Sequence, residues 1–247
     1  MNLLEGEHIN KTYSRGNSSV QVLIDVNFTL GDGEVLGIVG ESGSGKSTLL
    51  KQISGLETPD SGELLLGGEP LLKKRTVENY RTIQMIFQDA VGSFHPRRTI
   101  KASIRESVHN LCGRGAEPDL KGLSALVGLD PSLADRYPRN LSGGQCQRFA
   151  IARAVAVDPK ILLCDEVTSA LDVSSQAQIL RLLSDICRQS RTSAVFVSPD
   201  LAVIRCLCDR VMVMKDGAVV EDGDVARIIR APREDYTRKL VDSVMEL

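Results

Sequence analysis

A glycine-rich segment in the first fifth of the chain has the residues needed to bind phosphate. It fits the pattern G-x-x-x-x-G-K-[ST], and with one further threonine it comprises Gly40, Glu41, Ser42, Gly43, Ser44, Gly45, Lys46, Ser47 and Thr48. Glycines let the backbone approach an anion closely, and amides at a helix N-terminus attract negative charge. Lys46 would reach the outer phosphates, and the Ser47 hydroxyl would bind Mg²⁺. A glycine-rich turn that only resembles the pattern is the alternative, but the apolar strand before the segment and the helix after it favour a phosphate loop.

Two acids follow an apolar run further along the chain. The sequence Ile161–Cys164 is followed by Asp165 and Glu166. Open α/β sheets bind ligands at the carboxyl ends of their strands. Asp165 would therefore hold Mg²⁺, and Glu166 would act as the general base that activates water. The other interpretation is two solvated acids at the end of a strand, and the phosphate loop upstream makes it the weaker one.

Alternating strand-like and helix-like segments are expected to position these groups, which predicts α/β architecture. A helix is predicted over Ser47–Ile53, beginning at the end of the glycine-rich segment. The pattern predicts short strands at Glu34–Val39, Ile83–Phe87, Lys160–Cys164 and Ala194–Val197, and a hairpin of Val211–Met214 with Ala218–Val220. From about residue 89 to 157 helical segments dominate, which indicates an inserted helical subdomain.

Composition limits the class of protein. The chain has 247 residues, with 30 Lys and Arg against 32 Asp and Glu, and a formal net charge of −2. Proteins that bind nucleic-acid backbones usually carry a clear basic excess, so no nucleic-acid partner is expected.

No window reaches the ~18 apolar residues that a membrane span needs, and the first residues lack a secretory signal. The six cysteines have no paired C-x-x-C spacing, which favours reduced thiols over a metal site.

A short segment in the second half separates this chain from other phosphate-loop proteins. It contains Ser142, Gly143, Gly144 and Gln145, and a helix-like run follows it. Ser142 can cap that helix, and the glycines leave its N-terminus bare for an anion. With the phosphate loop and the acidic strand, this LSGGQ segment closely resembles the ATP-binding cassette (ABC) family. The resemblance covers nearly the whole chain.

The resemblance implies roles for further residues. Tyr13 corresponds to the aromatic residue that stacks on adenine, and Gln88 to the glutamine that reaches Mg²⁺ and the attacking water. The segment from Ser169 through Ala170 to Asp172 corresponds to the D-loop, whose aspartate belongs to the nucleotide site. In the family two cassettes meet head to tail, so residues 142–145 would act on the ATP of the partner.

The same resemblance implies a fold and its domain limits. The expected fold is that of a P-loop NTPase, a RecA-like core with an N-terminal antiparallel β subdomain and an inserted α-helical subdomain. The chain would be a single domain, with the core at residues 1–88 and 158–224, the helical subdomain at 89–157 and a helical tail at 225–247. Because the chain ends soon after Tyr236, no iron–sulfur cluster or C-terminal regulatory domain is expected.

Three stretches of sequence narrow the resemblance to the ATPase subunits of peptide and nickel importers: CDEVTSALDVSSQAQIL, FQDAVGSFHPRRTI and DYTRKLVDSV. This implies ATP and Mg²⁺ as cofactors, two separate permease subunits, a second cassette, and an extracytoplasmic binding protein that acts indirectly. The expected location is peripheral, on the cytoplasmic face of the membrane. The alternative is an accessory ATPase of a soluble complex such as phosphonate lyase. The transported substrate is left open.

One position departs from the family pattern. After the strand Ala194–Val197, the family has a histidine that contacts the γ-phosphate, and this chain has Pro199. Proline has no side-chain donor and no backbone N–H. Ser198 is predicted as an N-cap, with Pro199 as the first helical residue. The contact would be lost while the fold survives. Either this chain is the weaker half of a heterodimer, with a site that binds ATP but hydrolyses it poorly, or the neighbouring Glu166 suffices and turnover is only slowed. We favour the first interpretation.

Overall fold

The computed structural model describes residues 2–16, 18–169 and 171–245. Ala170 of the predicted D-loop, and Glu246 and Leu247 of the predicted tail, lie outside the described residues. The strands are β1 (Asn2–Arg15), β2 (Ser18–Gly31), β3 (Val35–Val39), β4 (Ser61–Leu66), β5 (Glu69–Pro70), β6 (Ile83–Ile86), β7 (Ile161–Asp165), β8 (Ser193–Val197), β9 (Arg210–Lys215) and β10 (Ala218–Asp224). The helices are α1 (Lys46–Ser54), α2 (Val77–Thr82), α3 (Ile100–Cys112), α4 (Leu120–Leu126), α5 (Gly143–Val155), α6 (Val173–Ser190), α7 (Leu201–Leu207), α8 (Val225–Arg230) and α9 (Asp235–Met245), with 3₁₀ turns at Pro131–Asp135 and Pro138–Asn140.

These bounds confirm the predicted alternation of strands and helices. The four short strands predicted outside the hairpin are present within one residue of their expected ends, whereas the hairpin strand predicted over Ala218–Val220 extends to Asp224. The predicted closing hairpin is β9 paired antiparallel with β10. The tail is helical on both sides of Pro232, as α8 and α9. These segments were predictable because apolar periodicity and turn residues are local features of the sequence.

The described residues of 1–75 and 190–247 form one compact unit. An antiparallel sheet in it has the strand order β2-β1-β4-β5. Elsewhere in this unit β3 lies between β8 and β9 and is parallel to both. The buried positions of β2 do not alternate strictly, since Leu23 and Val26 are three residues apart. Asp25, between them, has a φ of 48°, and such a left-handed residue shifts the phase of a strand.

The described residues of 76–189 form the second compact unit, which contains the whole of the predicted helical segment 89–157. Here β6 and β7 are parallel neighbours, and α5 carries the largest fully buried side chain, Phe149. Arg153 on α5 donates to the Ser93 carbonyl at 2.7 Å, and its guanidinium lies 4.3 Å from the centre of the Phe94 ring. Arg153 therefore links α5 to the segment that follows Gln88, through contacts with Ser93 and Phe94.

Within the described ranges, no helix combines the length and the apolar character needed to cross a membrane. All six cysteines are free thiols, and Cys146, Cys164, Cys187 and Cys208 are buried while Cys112 and Cys206 are exposed. Cys206 and Cys208 thus differ in exposure, which is consistent with positions i and i+2 facing different directions.

Candidate nucleotide-binding site

The glycine-rich segment joins the end of β3 to the start of α1. Gly40, Gly43 and Gly45 have φ values of 153°, 86° and 101°, a region that side chains rarely tolerate. A Cβ at Gly40 would lie 2.1 Å from the Met214 carbonyl oxygen, and one at Gly45 would lie 2.6 Å from that of Val22. Both positions therefore require glycine, and a backbone without side chains at these points can approach an anion closely.

Lys46 is the first residue of α1, and its ammonium group is held by the loop. Its side chain donates to the carbonyl oxygens of Gly40 at 2.7 Å and Glu41 at 2.8 Å, and the residue is 5% exposed. Gly45 precedes the helix and supplies no side-chain cap to the first turn, which includes Ser47 and Thr48. A buried cation and a helix N-terminus thus meet in one loop, which fits the phosphates of a nucleotide.

Tyr13 lies on β1 with a partly exposed ring. Its hydroxyl donates to the Glu57 carboxylate, and the Lys11 ammonium lies 5.7 Å from the ring centre. Burial and the Glu57 hydrogen bond raise the pKa of the Tyr13 hydroxyl, so it stays a neutral donor. The ring is 39% exposed, which leaves part of its surface accessible for stacking on a base.

In the second unit, Asp165 and Glu166 lie where β7 ends. All residues of β7 are buried, and Asp165 is 8% exposed. Glu166 has a φ of 45°, an uncommon conformation for a residue with a side chain. The Glu166 carbonyl accepts from the Ser169 amide at 3.1 Å and from its hydroxyl at 3.0 Å, which closes a tight turn. Non-glycine residues held in this conformation are concentrated at functional sites.

Gln88 is held against this turn. Its amide nitrogen Nε2 donates to Ser169 Oγ at 3.0 Å and to Glu166 Oε2 at 3.4 Å. The structure thus brings together a glutamine, a carboxylate and a hydroxyl that the sequence places up to 81 residues apart. From the sequence, Ser169 is identified only as part of the D-loop, with no role for its hydroxyl. No local pattern marks that role, because it depends on the packing of β6 beside β7.

The LSGGQ segment begins α5 in the way its sequence predicts. Ser142 is the N-cap, its hydroxyl accepts from the Gln145 amide at 3.2 Å, and the Gln145 side chain accepts from the Ser142 amide at 3.0 Å. A Cβ at Gly143 would meet nothing within 4 Å, and one at Gly144 would meet only Ser175 Oγ at 3.8 Å. Packing within the described residues therefore does not require glycine at these two positions, whereas close approach of another molecule would.

Asp172 lies directly before α6, and its carboxylate binds groups in the first turn of that helix. Its carboxylate accepts from Ser174 Oγ at 2.6 Å, from the Ser175 amide at 3.0 Å and from Ser175 Oγ at 2.7 Å. The Ser174 and Ser175 hydrogen bonds hold the pKa of Asp172 well below its usual range. The carboxylate thus has a structural role, and its expected role in nucleotide binding stays a prediction.

The lowered pKa of Asp172 leads to a pH-dependent expectation. Because the folded pKa is below the ordinary value of 3.8, the carboxylate contributes stability above that pH and loses the contribution as pH falls through the folded value. We expect Asp172→Asn to lower the melting temperature at neutral pH, with a difference from the wild type that shrinks in acid. Thermal melts against pH would test this. Asp185→Asn, an exposed change on α6, is the control, and a difference that is independent of pH would contradict the assignment.

The predicted start of α7 is wrong. The helix begins at Leu201, and its N-cap is Asp200, whose carboxylate accepts from the Ala202 amide at 2.7 Å. Ser198 is not the cap: its hydroxyl accepts from the Asp200 amide at 3.0 Å, in the link after β8. Pro199 lies in that link, exposed, and is not the first helical residue. Two capping residues lie close together here, and a short pattern does not show which of them the backbone uses.

Known proteins resemble this chain over most of its length. The family model described as ABC transporter matches residues 23–169. Oligopeptide transport ATP-binding protein OppF of Haemophilus influenzae is 39% identical over 258 aligned positions, 98% of this chain and 78% of that protein. Nickel import ATP-binding protein NikE of Shigella dysenteriae is 39% identical over 232 positions, 90% of this chain and 87% of that protein.

A solved structure extends the likeness to three dimensions. The ATP-binding cassette MJ0796, in a dimeric post-hydrolysis state bound to ADP and Pi, is 30% identical, with a TM-score of 0.80 over 90% of this chain and 98% of that chain. The phosphate loop, the acidic end of β7 and the capped LSGGQ helix occur here in a chain with that fold. On these grounds the chain belongs to the ABC transporter family, and it is an ABC ATPase with the fold of a P-loop NTPase.

Proposed function

We propose that this chain is the ATP-hydrolysing subunit of an importer of the peptide or nickel class. The observation that carries the proposal is the 39% identity, over 98% of the chain, to a protein named for oligopeptide transport. A nickel import protein with the same identity over 90% of the chain supports the same class. In this role the chain lies on the cytoplasmic face of the membrane beside two permease subunits, and an extracytoplasmic binding protein delivers the cargo.

The proposed chemistry divides between named side chains. Lys46 and the amides of the glycine-rich loop bind the ATP phosphates. Ser47 of the first unit offers a hydroxyl oxygen, and Gln88 and Asp165 of the second offer amide and carboxylate oxygens. Each is a donor type that suits Mg²⁺, and a bound ion would neutralise developing phosphate charge. Glu166 takes the proton of the attacking water, and Gln88, which donates to Glu166 at 3.4 Å, orients that carboxylate.

The LSGGQ helix acts on ATP bound by a second cassette. Gly143 and Gly144 leave the start of α5 uncovered among the described residues, and neither is required there by packing. Ser142 caps the helix with its side chain, and Gln145 completes the capping box, so both hold the N-terminus in shape. A helix N-terminus with bare backbone beside it fits a phosphate group from another chain.

Pro199 impairs this chain's own site in the proposed mechanism. The residue is exposed in the link between β8 and α7, and it offers neither a side-chain donor nor an N–H. Hydrolysis at this site is slow for want of a charge-stabilising donor, and the LSGGQ helix completes a competent site on the partner. The second cassette is therefore a different protein and not a copy of this chain.

Restoring a donor at position 199 should accelerate hydrolysis. In an assembled complex whose partner cassette is inactivated at its own site, we expect Pro199→His to raise the ATPase rate about tenfold, part of the ~10²–10³ that one such donor contributes. Steady-state phosphate release measures the effect. Pro131→His, at the exposed start of a 3₁₀ turn, is the matched control. An unchanged rate in the Pro199→His complex would argue against an impaired site.

Affinity purification from solubilised membranes tests the proposed function as a whole. The chain should co-purify with two membrane-embedded permeases and one different cassette, identified by mass spectrometry. Recovery with soluble enzyme subunits and no membrane protein would favour an accessory ATPase and overturn the importer assignment. Recovery with permeases but with no cassette other than copies of this chain would overturn only the heterodimer proposal, and the importer assignment would stand.

A further inference from the structure

The C-terminal helix α9 is hydrogen-bonded to the phosphate loop through one side chain. Tyr236, in the first turn of α9, accepts a hydrogen bond from the backbone amide of Glu41 at 2.9 Å. Glu41 is the second residue of the loop and lies 195 positions away in sequence. Both residues belong to the same compact unit. Burial raises the pKa of the Tyr236 hydroxyl, so the acceptor stays a neutral phenol.

The Tyr236 ring is held as well as its hydroxyl. The Lys215 ammonium lies 5.2 Å from the centre of the ring, a cation–π distance. Lys215 is the last residue of β9 and follows Met214, whose carbonyl oxygen lies against Gly40 at the start of the loop. The end of β9 thus contacts both the first glycine of the loop and the tyrosine that binds its second residue.

The start of α9 is fixed by a buried carboxylate on β10. Glu221 is 7% exposed, and its oxygens accept from the amides of Arg233 and Glu234 at 3.2 Å. Arg227 of α8 pairs with the same carboxylate at 3.1 Å. Thr237, the residue after the tyrosine, is 1% exposed, so the first turn of α9 is packed into the unit. Tyr236 therefore projects from an anchored helix.

We propose that Tyr236 is a positioning residue that holds the phosphate loop ready for nucleotide, so that the C-terminal helix sets the affinity for ATP. A glycine-rich loop has much conformational freedom to lose when it closes on phosphate. A hydrogen bond that already fixes one of its amides reduces that loss at the moment of binding. The inference rests on the proposed ATP-binding role of the loop and adds to it a residue outside the loop.

Tyr236→Phe in the full chain tests the inference, because it removes the acceptor oxygen and keeps the ring beside Lys215. We expect ATP and ADP to bind about two- to tenfold more weakly, the range that one net hydrogen bond corresponds to. The maximal rate of the assembled complex at saturating ATP should change less than the affinity does, so that the effect appears in KM. Tyr80→Phe, at an exposed tyrosine of α2, is the matched control.

The outcomes separate the two proposals. Equilibrium titration with ATP should show wild-type affinity for Tyr80→Phe and weakened affinity for Tyr236→Phe. A lower melting temperature with unchanged affinity would mean that Tyr236 only stabilises the fold, and it would overturn the inference while the ATPase assignment stands. If the wild-type chain itself failed to bind ATP, the proposed function would fail, and this inference with it.

Discussion

Lys46→Ala is expected to reduce the affinity of this chain for ATP by about 100-fold. Lys46 is 5% exposed, and its ammonium donates to the carbonyl oxygens of Gly40 and Glu41. Such a cation is poorly screened by water, so a phosphate that replaces one of these carbonyls gains a strong charge-assisted hydrogen bond. Hydrogen bonds to charged groups contribute about 1.5–3 kcal/mol, and the loss of about 3 kcal/mol corresponds to slightly more than a hundredfold loss of affinity.

The matched control for Lys46→Ala lies about one and a half turns further along α1. Lys51→Ala removes the same side chain at a partly exposed position, where the ammonium lies 3.8 Å from a Glu57 oxygen. Titration with ATP under the same conditions should give wild-type affinity for this variant. Far-ultraviolet circular dichroism would check that both variants are folded. If folded Lys46→Ala bound ATP as the wild type does, the glycine-rich loop would not be the phosphate site.

The phosphate loop could be predicted in detail because its determinants are local. An apolar strand, glycines at set spacing and a lysine at the start of a helix all occur between Val35 and Ser54. Gly40 and Gly45 face nearby carbonyl oxygens, and glycine is the residue that satisfies both constraints. The capped start of α5 at Ser142 is predictable for the same reason, since a cap and its helix are adjacent in sequence.

Contacts between distant segments could not be predicted in this way. The Gln88 hydrogen bond to Ser169 spans 81 residues, and that of Glu41 to Tyr236 spans 195. Neither pair lies on one helix or one strand, so no periodicity links them. The positive φ of Glu166 also could not be predicted from the sequence, because it follows from the turn that Ser169 closes. The order of the motifs indicates that Gln88, Glu166 and Ser169 belong to one site, but it does not indicate which of their atoms interact.

The misplaced start of α7 shows a limit of capping rules at close range. Serine and aspartate are both favoured N-caps, and here Ser198 and Asp200 are separated only by a proline that also suits a helix start. The structure uses the aspartate as cap and the serine to bind the aspartate's amide. Pro199 thus lies outside the helix, in an exposed link.

Gly143→Asp is expected to lower the ATPase rate of the assembled complex about 100-fold without harming this chain's fold. A side chain at this position meets nothing within 4 Å, and an acid in the first turn of α5 interacts favourably with the helix dipole. The variant should therefore melt no lower than the wild type. The same carboxylate would repel the phosphates of ATP on the partner and remove a charge-stabilising contact, whose loss typically costs ~10²–10³ in rate.

Gly115→Asp separates the effect of position from that of added charge. Gly115 is exposed, and a side chain there also meets nothing within 4 Å. Both variants add one negative charge to the same compact unit, so a loss of rate confined to Gly143→Asp places the effect at the start of α5. ATP binding to the isolated Gly143→Asp chain should stay normal, because its own phosphate loop is unchanged. Normal turnover by the complex that carries Gly143→Asp would mean that this helix does not serve the partner's ATP.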